Sequence, residues 1–352
     1  MIKRCYIGLF CMFIVLLGAF FCMYYPCQSM AEGEQVYLIT PDSSKYHNDC
    51  LHPCIRYDST SGLYFMAQSP YYGWNNQLEN PMFYFSTDYR KWDNGHLISD
   101  TPEHGYNSDP NICLCRNGDI QYIWRECGTP LCDSLECTYA IVGGRVRLDG
   151  ELVEKQVYCC NYSREEDLVQ APVMIEYKGE RYIYATWYQY VPERKNRGIA
   201  IWKEDTLLMK ESGCRSRYQL VDTIPFASCY TVDKCAQIRL SNHIFYFPKP
   251  LYHDLWHFDL FEYAGKLYMV SVAEKGDNIM LSVSNDWRHF KTYRKPLVNN
   301  HYTENYCHYR QYYYKPTAFV KDDTLHVFYT ANSMHHINKN VLFHVQRPIK
   351  KY

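Results

Sequence analysis

The chain has 352 residues, with 37 Lys and Arg against 38 Asp and Glu, a formal net charge of −1. That near balance, with no basic run, argues against a nucleic-acid surface, and a hydrophobic content of 47% suffices for a real core in one large domain or two ordinary ones. The 36 Tyr and 7 Trp are out of proportion; aromatics at that density favour strands and suit flat, partly polar ligands such as sugars.

A short basic head, MIKR, precedes a stretch without charge from Cys5 to Ala31. Two readings fit. One is a signal peptide, with Ser29 and Ala31 as the small residues at the −3 and −1 positions for cleavage after Ala31. The other is an uncleaved signal anchor over residues 5–25, since about 20 apolar residues span a bilayer. In both, Lys3 and Arg4 stay cytoplasmic. Residues 32–352 are then expected outside the cytoplasm (periplasmic, at the cell surface or secreted), meeting membrane only through residues 1–31 if these are retained.

Four of the 17 Cys (Cys5, Cys11, Cys22 and Cys27) lie in or beside that stretch. Export permits disulfides, and the odd remainder leaves at least one thiol free or paired with another chain. Zinc is the alternative for Cys127, Cys132 and Cys137, but spacings of five do not match short C-x-x-C knuckles. Buried small hydrophobes with a few bridges are the expectation, with no metal and no other cofactor.

One pattern then recurs: an apolar strand, a polar turn, and a strand rich in Tyr. The copies are HPCIRYDSTSGLYFMAQ from His52, DPNICLCRNGDIQYIWRE from Asp109, APVMIEYKGERYIYATW from Ala171, HFDLFEYAGKLYMVSVA from His257 and KPTAFVKDDTLHVFYTA from Lys315. Pro53, Pro110, Pro172, Phe258 and Pro316 hold the second position, at steps of 57, 62, 86 and 58 residues. Each copy reads as a hairpin. A third strand follows the first (PMFYFSTDYRKW, 81–92), the fourth (IMLSVSNDWRHF, 279–290) and, more loosely, the third (GIAIWKEDTLL). Five such units predict an all-β, five-bladed β-propeller, because one blade cannot bury both its faces alone and radial closure protects its edges. Pro is expected at the first residue of each first strand, where no ladder donor is needed, and these starts would gather at one mouth of the central channel. Residues 187–250 would be loops or an insertion at the rim. A many-stranded β-sandwich is the alternative.

The stations His52-Pro53, Glu79-Asn80-Pro81, Ser108-Asp109-Pro110, Gln170-Ala171-Pro172, Trp256 to Asp259 and Tyr314 to Phe319, in this order and spacing, resemble the five-bladed propeller superfamily of glycoside hydrolase families 43 and 32. Within it they are similar to a poorly characterised set of bacterial and phage proteins. The resemblance spans residues 46–332. It implies three carboxylates at the channel mouth: a base or nucleophile on the first blade, an Asp on the second that tunes pKa and orients, and a Glu general acid on the third, since glycoside cleavage needs one protonated and one ionised carboxyl. Asp109 fits the second position. His52 stands where the first-blade Asp is expected, with Asp49 three residues earlier, and Gln170 stands near the third-blade acid's place, where it cannot donate a proton as an acid does.

The candidate catalytic set is Asp109, Glu79, His52, His257 and Asp259. Each has a plainer reading: an Asx turn for Asp109, a turn residue for Glu79, a satisfied core histidine for His52 and His257. Asp259, two residues after His257 on one strand face, would orient the imidazole or close a structural bond. Candidates for substrate binding are Arg125, whose planar fork suits uronate, sulfate or phosphate, Glu126 (otherwise a salt-bridged strand end), Gln170, and Tyr71, Tyr72, Trp74 and Trp256 for stacking on sugar faces. His253 and His257 are four apart, about 13 Å along a strand, so no zinc pair is expected. Walker, Rossmann and nucleophile-elbow motifs are lacking. The expectation is an extracytoplasmic carbohydrate-active protein, glycosidase-like, acting on an oligo- or polysaccharide. The alternative is a propeller that binds glycan without turning it over, which the altered first- and third-blade positions favour; clustered titratable groups favour catalysis. A structural envelope protein is a third reading.

Overall fold

The computed structural model describes residues 34–128, 139–161, 167–189, 195–205, 218–225, 233–240, 243–250, 255–273, 278–293, 296–299, 311–332 and 339–352. They form a five-bladed β-propeller. After β1 (Glu34–Val36), blade 1 comprises β2 (Cys54–Tyr57), β3 (Tyr64–Gln68), β4 (Met82–Ser86) and β5 (His96–Leu97). Blade 2 is β6 (Tyr106–Leu114), β7 (Ile120–Cys127), β8 (Tyr139–Val146) and β9 (Leu152–Asn161). Blade 3 is β10 (Asp167–Tyr177), β11 (Glu180–Gln189), β12 (Lys195–Glu204) and β13 (Tyr218–Pro225). A separate hairpin, β14 (Asp233–Leu240) with β15 (His243–Pro250), precedes blade 4. That blade is β16 (Leu255–Tyr263), β17 (Lys266–Ala273) and β18 (Asn278–Ser284), with the outer position shared by β19 (Lys291–Thr292) and β20 (Val298–Asn299) at opposite ends of β18. Blade 5 is β21 (Gln311–Lys321), β22 (Thr324–Asn332) and β23 (Asn340–Pro348), and β1 is its outermost strand, paired antiparallel with β23.

The sequence reading missed this closure by β1. It assigned 187–250 to loops or insertion apart from the loose third strand GIAIWKEDTLL, which is β12; β13 then completes blade 3, and among the described residues of this range only the β14–β15 hairpin is additional.

Alternation of side chains explains the stacking. On β3, Tyr64 and Met66 join the core between blades 1 and 5, while Phe65 and Ala67 join the one between blades 1 and 2. Comparable cores fill the remaining three interfaces. Every blade is thus buried on both faces, which is why its strands read as nearly continuous apolar runs; each fully buried large side chain is worth about 1.5–3 kcal/mol. The innermost strands β2, β6, β10, β16 and β21 touch their neighbours in turn around the axis, and the ring closes from β21 to β2. A two-layer sandwich has no such closure.

The hairpin turns follow from local chemistry. Lys178-Gly179, Ala264-Gly265 and Asp322-Asp323 each place two residues at positive φ, the two-residue turn whose twist matches antiparallel strands.

The X-Pro stations differ from expectation. Only Pro53 directly precedes its strand; in β6, β10 and β21 the strand begins upstream and the register shifts across Asp109-Pro110, Ala171-Pro172 and Lys315-Pro316. A proline has no N–H for the ladder, and a bulge absorbs it without ending the strand.

Cys50, Cys54, Cys113, Cys115, Cys127 and Cys159 are all buried free thiols, so none of the expected bridges is made by these six. Cys132 and Cys137 lie outside the described residues, as does the apolar N-terminal stretch. Among the described residues no helix is long and apolar enough to cross a membrane.

Candidate functional site

The bulge in β6 sets the site. Asp109 takes a left-handed conformation (φ 53°), which short polar residues tolerate best. Its carboxylate receives three neighbours around the axis. His52 Nε2 lies 3.3 Å and His257 Nδ1 3.7 Å from Oδ1, and Arg125 Nε lies 3.4 Å from Oδ2. Arg125 stands opposite Ser108 in the β6–β7 ladder. The backbone N–H of Ala171, itself at φ 49° in the blade 3 bulge, donates to Asp109 Oδ2 at 3.3 Å, pinning one bulge to the next.

Glu79 follows a short 3₁₀ turn, Asn76–Leu78, and is buried. Its Oε1 accepts from Ser108 Oγ at 2.5 Å and lies 2.9 Å from His52 Nδ1. Ser69 Oγ is 3.0 Å from the same nitrogen. A carboxylate that close to Nδ1 assigns the ring proton there and turns the other nitrogen, Nε2, towards Asp109. His52, His257 and Tyr314 form an aromatic cluster, with centroids 5.2, 5.4 and 4.4 Å apart, and Trp256 Nε1 donates to Tyr314 Oη at 2.9 Å.

Burial opposes ionisation of Asp109, but the charges of His52, Arg125 and Lys315 outweigh it and hold the carboxyl well below the usual range. Burial keeps His257 neutral, well below its ordinary value. Asp109 Oδ1 and both ring nitrogens of His257 are buried without a hydrogen-bond partner among the described residues. Such groups are costly unless something fills the space between them.

Beneath this layer Lys315, fully buried, donates to the carbonyl of Pro110 at 2.8 Å. Deeper still, Asp259 takes a bidentate pair from Arg56 at 2.6 and 2.7 Å, a bond from Thr317 Oγ1 at 2.6 Å and one from Asn111 Nδ2 at 3.3 Å. This is a structural tie between four blades.

The predicted residues therefore divide. His52, Glu79, Asp109, Arg125 and His257 come together. Asp259 does not orient His257: it is one strand repeat further along β16, about 7 Å, and its oxygens are taken by Arg56, Thr317 and Asn111. Glu126 alternates away from Arg125 on β7 and accepts from Lys155 Nζ at 2.7 Å and Trp124 Nε1 at 3.3 Å, a salt bridge within blade 2. Gln170 sits at the blade 3 bulge, where its carbonyl accepts from Thr186 Oγ1 at 2.9 Å. Tyr71 and Trp74 meet edge to face at 5.6 Å in the loop before Glu79, with Trp74 half exposed. Tyr106 and Tyr139 flank the Arg125 guanidinium at 5.7 and 5.9 Å. His253, His335 and His336 lie outside the described residues.

Sequence reasoning missed Tyr314 and Lys315, although both stand in the fifth X-Pro station. It also missed that His52, Asp109 and His257 converge, each offering one atom within 4.8 Å of the others. A cavity of about 250 Å³ lies elsewhere, where β1 meets β23, lined by Val36, Leu38, Asn48, Cys50, Asn340 and Leu342.

No family model and no curated protein matches the sequence. Solved structures do match across most of the chain. An N-acetylgalactosamine deacetylase from F. plautii, in complex with blood group B trisaccharide, aligns with a TM-score of 0.60 at 11% identity over 90% of this chain and 94% of that one. The RS223 β-xylosidase aligns with a TM-score of 0.54 at 11% identity, over 89% and 94%. A GH43_1 enzyme from Xanthomonas citri aligns with a TM-score of 0.52 at 9% identity, over 85% and 87%. At such identities the likeness is one of fold, and the chain has the five-bladed propeller fold of the family 43 glycoside hydrolases.

Proposed function

We propose that this chain is an extracytoplasmic carbohydrate-active enzyme, glycosidase-like in architecture, that takes an oligo- or polysaccharide at the propeller mouth. The observation that carries the reading is the axial cluster of Glu79, His52, Asp109, Arg125 and His257. It gathers perturbed, buried ionisable groups with unsatisfied atoms, as working sites do and purely structural ones rarely do. Tyr71, Trp74 and Trp256 add aromatic faces near it. The apolar N-terminal stretch supports the location.

The chemistry departs from the three-carboxylate scheme. Asp109 is held ionised, so it serves as a charge or base and not as the proton donor. Gln170 supplies no acid on blade 3. The absence of a third-blade acid also supports a second reading, retention of glycan without turnover.

A glycan array probed with the protein, followed by product analysis on every hit, separates the two. New reducing ends or a released substituent, abolished by Asp109→Asn with the fold intact, support the enzyme. Bound but unaltered glycan supports the binding module. Full turnover by Asp109→Asn on a confirmed substrate overturns the mechanism.

A further inference from the structure

We propose that His52, Asp109 and His257 form a binding site for one divalent transition-metal ion at the mouth of the propeller. The donor set is two imidazole nitrogens and one carboxylate oxygen, one from each of three blades. Oδ1 of Asp109 faces His52 Nε2 at 3.3 Å and His257 Nδ1 at 3.7 Å. Ligand bonds of about 2.1 Å separate neighbouring donors by about 3.0–3.4 Å in octahedral or tetrahedral geometry, so both contacts of Asp109 are close to ligand spacing, and the two imidazoles, with all three donors within 4.8 Å of one another, draw together to close on an ion.

Three further features point the same way. Asp109 Oδ1 and the His257 nitrogens have no hydrogen-bond partner among the described residues although they are buried. The Asp109 carboxylate is divided: Oδ2 is engaged by Arg125 and the Ala171 N–H, leaving Oδ1 for the ion. His52 is held as ligand histidines usually are, its far nitrogen 2.9 Å from a carboxylate, Glu79, that is itself fixed by Ser108.

Two imidazoles with one carboxylate favour manganese, iron, cobalt or zinc over calcium and magnesium, which prefer all-oxygen sites. Three protein donors leave coordination positions open for water or a glycan oxygen, so the ion would supply the electrophile that Gln170 cannot. That last consequence rests on the carbohydrate reading; the binding itself does not, and it is measured without any glycan.

The test is a titration of the chelator-stripped full chain with Mn²⁺, followed by the loss of the free-ion electron paramagnetic resonance signal. Manganese avoids thiolates, so the 17 Cys do not compete for it. The expected result is one site of micromolar affinity, weakened about 100-fold or more in His257→Gln and in His52→Gln, and about 10- to 100-fold in Glu79→Gln, which acts only through His52. Thermal melts check that each variant is folded; should one unfold, the wild-type stoichiometry and the remaining variants decide. No site below millimolar Mn²⁺, or a site that both histidine variants leave unchanged, overturns the proposal. Binding of Mn²⁺ by a protein that retains no glycan overturns only the carbohydrate reading.

Discussion

Two buried aspartates face the propeller axis, and they could hardly be treated more differently. Asp259 is enclosed by strong short bonds from Arg56, Thr317 and Asn111. Asp109 has comparable burial and its own arginine, yet its nearest contacts lie at 3.3–3.7 Å and Oδ1 has no hydrogen-bond donor among the described residues. Folding accounts for the first completely. The second is an arrangement that folding alone leaves unfinished, and such incompleteness marks where a ligand belongs.

The sharpest way to break the comparison is to remove each charge. Asp259→Asn should destabilise the protein by roughly 3–5 kcal/mol, because Arg56 is left buried without its counter-charge. Asp109→Asn should cost less, under about 2 kcal/mol, because Arg125 lies 3.4 Å from the carboxylate without a bidentate bond to it, while abolishing glycan turnover or metal binding. Urea unfolding of both variants reads the difference. Equal losses of stability would show that Asp109 is structural after all.

Much of this contrast was not legible in the sequence. Asp259 and His257 share a strand face, so periodicity alone pairs them. Only the partner blades show that Arg56, some 200 residues away, captures the carboxylate. The X-Pro stations did locate the innermost strands, and the Lys-Gly, Ala-Gly and Asp-Asp turns located the hairpins, because proline and positive φ are local demands. The convergence of His52, Asp109 and His257 depends on how blades pack, which no local pattern encodes. Likewise Glu34–Val36 is too short to carry a period.

A second contrast lies in the histidines. Where His52 and His257 meet Asp109, His326 and His344 of blade 5 meet each other, Nδ1 to Nε2 at 3.1 Å, beneath Tyr89 of blade 1. Burial pushes them down to about 4 and about 3. The unfolded chain, titrating near 6.5, therefore binds more protons between these values. Stability is full above neutrality and falls as the pH drops below about 6.5, by up to about 1.4 kcal/mol per pH unit for each histidine. Asp49, pushed up to about 6 by burial, acts in the opposite sense. The quantity to measure is thus the difference in unfolding free energy between wild type and the His326→Gln/His344→Gln double variant from pH 7 to 5; a constant difference would rule the pair out as the source.

The smallest effect tests the hairpins. Ala264 sits at φ 50° in the blade 4 turn, a conformation that its neighbour in the turn, Gly265, adopts without strain. Ala264→Asn should stabilise by about 1 kcal/mol, read as a raised melting temperature with the axial site unchanged.

The clasp formed by β1 and β23 has a kinetic consequence. Its two strands are more than 300 residues apart, so it unites the first described segment to be synthesised with the last. During synthesis blades 1 to 4 can assemble in order, but β1 must wait, unpaired, until the C-terminal strand exists. Ring closure is then a late event of high contact order, and it is also the event that packs blade 5 against blade 1, setting Tyr314 beside His52. A chain truncated before Asn340 would retain most of its sheets and lack a clasp, and its axial histidine would have no settled wall to stand against.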